Sequence, residues 1–142
     1  MTGVLDASTA LAWQFIRADA AEALLAERVL RELPSTAWVV PAIGYAELAN
    51  VLLRGERAGL IQSSQTEFFL SRVLQAQIEM DPGSPRTQQA SVLNLGRRHK
   101  LTAYYATYLE LAMRRAAVLA TFDRKLADAA RSAGVRVFGD AA

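Results

Sequence analysis

Three carboxylates interrupt apolar stretches of this chain. Asp6 closes the opening run Gly3 to Leu5, Glu47 is the only charged residue between Pro41 and Leu53, and Asp123 follows Val118–Ala120 by way of Thr121 and Phe122. A carboxylate in such surroundings is costly unless it meets water, a hydrogen-bond donor or a cation. Taken together, three acids from separate segments make a hard-oxygen set of the kind that suits Mg²⁺ or Mn²⁺. Each acid also has a purely structural use. Asp6 and Asp123 stand where an N-cap of a following helix would stand, and Glu47 fits the edge of an amphipathic helix. Only their joint placement distinguishes the two uses.

The elements that would position them follow from periodicity. Gly3–Leu5 reads as a strand, followed by a helix over Thr9–Ile16 capped by Ser8, then a second helix from Asp19 to Leu33 that Pro34 ends. Trp38–Val40 is a buried strand. Pro41 suits the first turn of a helix running through Leu52 to a stop near Gly55–Gly59. The next helix starts at Ser63 or Ser64, with Ser64 and Glu67 as a capping box. Ile78–Met80 is a short strand, and Asp81-Pro-Gly-Ser-Pro is a turn. Helices over Arg86–His99 and Ala103–Arg115 come next, then apolar Ala117–Thr121, a helix over Arg124–Ala133 closed by Gly134, and a last strand at Val135–Phe138. Strands alternating with helices predict an α/β fold, a parallel sheet of four to five strands covered by helices on both faces, in a single domain over residues 1–142. Such sheets bind ligands beyond the carboxyl ends of their strands, where Asp6 and Asp123 are expected.

Composition narrows the classes. The chain has 142 residues, is 52% hydrophobic and 21% charged, and contains no cysteine, which excludes a disulfide scaffold and a thiolate metal site. The start, MTGVLDASTALAWQF, has no basic leader and is broken by Asp6, so a cytoplasmic location and no membrane span are expected. The net charge of +2 hides a division: up to Pro85 there are 6 Lys/Arg against 10 Asp/Glu, and from Arg86 onward 10 against 4. The basic half suits either phosphate contacts or solvated helix faces. His99, alone beside Arg97, Arg98 and Lys100, reads as helix-end structure.

VLDASTALAW, VVPAIGYAELANVLLRGERAG and RRHKLTAYYATYLELAMRRAAVLATFDRKLADAARSAGVRVF, in that order, resemble the successive blocks of PIN domains of the VapC toxin type. The resemblance covers nearly the whole chain apart from about Ile61 to Ser91. It implies a three-layer α/β/α fold and a Mg²⁺- or Mn²⁺-dependent endoribonuclease of a type II toxin–antitoxin system. Asp6, Glu47 and Asp123 match three of the family's four acids, with Asp6 and Asp123 expected as metal ligands and Glu47 as a third ligand or the group that orients water. Ser8 and Thr121 match the supporting hydroxyls. The resemblance also implies an RNA substrate, with Arg97, Arg98, Lys100 and Arg124 as candidates to hold its phosphates, a VapB-type antitoxin and a homodimer. The apolar residues Trp13, Phe15, Leu52, Leu53, Phe68 and Phe69 serve either those contacts or the core.

The third acid position holds Tyr105. A phenol with a pKa near 10 is neutral at pH 7 and brings a ring into the space of an ion and its waters. The site is therefore expected to be impaired, and a non-catalytic PIN module that binds RNA or an antitoxin is the competing reading. A receiver-like or phosphotransfer domain also gathers acids at strand ends, but this chain lacks a glycine-rich phosphate loop.

Overall fold

The computed structural model describes residues 1–7, 9, 28, 31–32 and 35–140. The helices expected over Thr9–Ile16 and Asp19–Leu33, together with Ser8, Trp13 and Phe15, lie outside the described residues or almost wholly so. The described elements are β1 (Thr2–Leu5), β2 (Ala37–Val40), α1 (Ile43–Arg57), α2 (Ser63–Gln75), β3 (Glu79–Met80), α3 (Pro85–His99), α4 (Ala103–Arg114), β4 (Val118–Ala120) and α5 (Arg124–Ser132).

The four strands form one parallel sheet in the order β3-β2-β1-β4. Period-two alternation divides their side chains between two cores. Val4, Val39 and Leu119 pack with Leu109, Leu111, Leu126 and Ala130 of α4 and α5. Leu5, Trp38, Val118 and Ala120 pack with Leu48 and Leu52 of α1 and with Phe69 and Val73 of α2. Helices thus cover both faces, giving the three-layer α/β/α arrangement. Gly3 is required on the second face, because a Cβ there would collide with the Trp38 ring. Among the described residues no helix is long and apolar enough to cross a membrane.

Three local expectations need correction. The capping box of α2 is built by Gln62 and Gln65, two residues earlier than Ser64 and Glu67, with Gln65 Oε1 accepting from the Gln62 amide at 2.8 Å. Pro41 precedes the N-cap Ala42 of α1 and is not the first helical residue. The final strand reduces to a single parallel bridge, Leu119 to Val137, although Arg136 and Phe138 still hydrogen-bond both backbone groups of Leu119 at 2.9 and 2.8 Å.

Candidate active site

Asp6 lies one residue past β1, and its amide donates to the Ala120 carbonyl at 3.0 Å, which extends the ladder with β4 to the carboxyl edge. The side chain is 4% exposed. Its Oδ2 accepts from the Thr121 hydroxyl at 2.6 Å, and Thr121 Oγ1 accepts in turn from the Asp123 amide at 3.1 Å. A single buried threonine therefore fixes both the Asp6 side chain and the backbone that carries Asp123. The Asp123 carboxylate caps α5 by accepting from the Leu126 amide at 2.8 Å, so the capping use and the candidate-site position coincide in one residue.

Glu47 reaches the same place from α1. Burial holds its carboxyl above the ordinary range, the nearby Tyr108 hydroxyl works against this, and the negative charge of Asp6 adds to the rise. Glu47 Oε1 and the Tyr108 hydroxyl are both buried without a hydrogen-bond partner at regular geometry among the described residues. Tyr108 was not anticipated, yet it follows Tyr105 at i+3 on α4, a spacing that puts two helical side chains on one face. Gly44, on the first turn of α1, admits it: a Cβ there would stand 3.1 Å from the Tyr108 hydroxyl.

Tyr105 is set by its helix start. Thr102 caps α4, accepting from the Tyr105 amide at 3.2 Å. The phenol is pushed up to about 12 by burial first, then by the charge of Asp123 and the phenol's interaction with that carboxylate, with smaller contributions from Asp6 and Glu47. It is therefore a neutral group surrounded by the three acids. Burial, followed by the charges of Asp6 and Glu47, likewise keeps Tyr108 un-ionised.

Asp6, Glu47, Asp123 and Tyr105 thus meet in one negatively charged region at the carboxyl edge of the sheet. Among the described residues, however, no three acids or histidines stand close enough together to hold a metal ion. Tyr105 stands among the acids, Asp123 is engaged in its cap, and Asp6 is held by Thr121. In this form Asp6, Glu47 and Asp123 gather around a neutral phenol without standing close enough to share one ion. Arg97, Arg98 and Lys100 are exposed at the end of α3, Lys100 in the left-handed conformation (φ 56°) two residues before the Thr102 cap. Arg124 is exposed as the first residue of α5, directly after Asp123. His99 lies in the last turn of α3, as its neighbours suggested. Leu52 and Phe69 belong to the core, whereas Leu53 and Phe68 are exposed.

The sequence matches the model of the PIN domain over residues 3–132, and the chain belongs to the PIN domain family. The fold agrees. A crystal structure of PAE2754 from Pyrobaculum aerophilum superposes with a TM-score of 0.67 at 22% identity, covering 91% of this chain and 87% of that one. That of FitAcB from Neisseria gonorrhoeae gives 0.61 at 18% identity, covering 96% of both chains. Comparison of the sequence with curated proteins finds none that matches.

Proposed function

We propose that this chain is an endoribonuclease-type PIN toxin of a toxin–antitoxin pair, whose phosphodiester-hydrolysing site is impaired by Tyr105. The observation that carries the reading is the Thr121 hydroxyl that joins Asp6 to the backbone of Asp123 at the carboxyl edge of the sheet, with Glu47 and Tyr105 near enough to feel the charge of these acids. That edge is where parallel α/β sheets do their chemistry. With a carboxylate at position 105 the site would take Mg²⁺ or Mn²⁺, held by Asp6 and Asp123 with Glu47 in support, and the ion would supply an activated water and charge neutralisation at the phosphate. The exposed Arg97, Arg98, Lys100 and Arg124 would grip the RNA backbone. A VapB-type antitoxin and pairing of two copies belong to the same proposal.

A second reading, a non-catalytic module that binds RNA or an antitoxin, is favoured by one specific finding, the neutral phenol among acids of which, among the described residues, no three stand close enough to hold a metal ion. Tyr105→Asp separates the two. The variant should bind Mn²⁺ at least tenfold more tightly than the parent by isothermal titration, the order of change that site-supporting groups produce, and should cleave single-stranded RNA. If the variant gains neither ion affinity nor cleavage, the nuclease reading fails and the binding module stands.

A further inference from the structure

Tyr108 links the two helical layers at the place where the acids stand. It belongs to the core of Val4, Val39, Leu111 and Leu126 on the α4 side of the sheet, yet it also lines a small apolar cavity with Leu5, Leu48 and Val73 of the opposite core. Its hydroxyl arrives at the first turn of α1, where a Cβ on Gly44 would stand 3.1 Å away. Gly44 and Glu47 are one turn apart on α1, as Tyr105 and Tyr108 are on α4, and that spacing puts each pair on one helix face. Helices from opposite sides of the sheet thus turn these faces to one place, and Tyr108 meets α1 at the turn that leads to Glu47.

A phenylalanine would fill the same space without burying a polar atom. Tyr108 is fully enclosed, so water does not reach its hydroxyl, and a buried hydroxyl without a good partner destabilises the fold. The glycine that makes room for it weakens the start of α1 as well. The adjoining cavity presents almost no polar surface to the hydroxyl. Glu47 does present one: its Oε1 is likewise buried without a partner at regular geometry among the described residues. Each group responds to the other, the hydroxyl lowering the Glu47 carboxyl and Glu47 raising the phenol. The Ala7 backbone, next after Asp6, also reaches the phenol, which ties this ring to the chain just past β1.

Resting on the nuclease reading above, we infer that Tyr108 is a positioning residue, whose hydroxyl donates to the Glu47 carboxylate and keeps it facing Asp6. It acts on RNA hydrolysis only through Glu47.

Two measurements on the full chain test this. The first needs no ion: urea unfolding in EDTA at pH 7 of the parent, Glu47→Gln, Tyr108→Phe and the double variant. Tyr108→Phe keeps the ring in the core. If the hydroxyl supports the carboxylate, Glu47→Gln should raise the folding constant about fivefold or more beyond its effect in the parent when Tyr108→Phe is already present, the scale of a hydrogen bond to a charged group. A hydroxyl unconnected to Glu47 gives the same gain in both backgrounds. The second is RNA cleavage by Tyr105→Asp with Mn²⁺. Adding Tyr108→Phe should lower kcat about tenfold with KM unchanged, and should add nothing to the loss that Glu47→Gln causes. Equal gains in urea, an unaltered kcat, or a loss that adds to that of Glu47→Gln overturns the positioning role and leaves the nuclease reading in place. If Tyr105→Asp cleaves no RNA, the nuclease reading fails and the role in hydrolysis fails with it, even where the coupling in urea persists.

Discussion

Glu47 illustrates what a buried carboxyl costs a fold. Burial raises its carboxyl above the 4.5 of a free glutamate, more than the nearby Tyr108 hydroxyl lowers it, and Oε1 has no hydrogen-bond partner at regular geometry among the described residues. Because the folded protein holds this proton more tightly than the unfolded chain does, Glu47 favours folding only below the unfolded pKa. That contribution is lost as pH rises through the folded value. Glu47→Gln keeps the shape without the charge, and should stabilise the chain at pH 7 by roughly 1 kcal/mol, the low end for an unsatisfied group that is only partly enclosed. In urea titrations the advantage should disappear below about pH 4.5; an advantage that persists unchanged in acid would remove the ionised carboxylate as its cause. The acids themselves were legible in the sequence, since a charge inside or directly after an apolar run is conspicuous. Tyr108 was not, because a tyrosine on an apolar helical face reads as core, and its 0% exposure shows that it is core as well. The cap made by Asp123 was legible because its partner Leu126 is three residues away, whereas the hydroxyl pair Thr121–Asp6 joins residues 115 apart, which spacing along the sequence does not encode.

At the scale of elements, β3 is the least secure piece of the sheet. It has two residues, both exposed, and pairs only with β2. Asp81, directly after it, is 7% exposed and joins α4 through Arg114, with 3.2 and 2.6 Å contacts from the two terminal nitrogens. The same guanidinium also donates to Glu110 at 2.8 Å. Hydrogen bonding to Arg114 is the largest influence on Asp81 and holds its carboxyl below the usual 3.8. Its stabilisation is thus present above the unfolded pKa and lost as pH falls through the folded one. Asp81→Asn should cost about 2 kcal/mol at pH 7, less than a fully buried pair because the Arg114 side chain is 34% exposed. The gap between parent and variant in chemical denaturation should close on acidification below about pH 4; a gap that stays constant to pH 3 would show that packing, not charge, is what the substitution removed. Asp81 was read only as part of a turn, because a partner 33 residues away leaves no local trace. Helix and strand positions fared better, since period 3.6 and period 2 are written into neighbouring residues. The capping box of α2 slipped because glutamine can play both of its parts. The last strand was over-read because Val135, Val137 and Phe138 are buried without a second bridge to keep them in register.

At the scale of the whole molecule, the charge division becomes a prediction about salt. The acidic first part brings Asp6 and Glu47 to the sheet edge. The basic second part carries Arg97, Arg98, Lys100 and Arg124 on exposed positions beside the start of α4 or directly after Asp123. A polyanion approaching the acids would be repelled unless those cations neutralise its phosphates first, and each neutralised phosphate of a single strand contributes about −0.7 to the slope of log affinity against log salt concentration. If all four cations engage, the affinity of the parent chain for a short single-stranded RNA should fall with a slope of about −3 between 50 and 300 mM salt. Lys100→Ala should make that slope shallower by about 0.7. A Lys100→Ala variant whose slope equals the parent's would place the bound RNA away from the end of α3.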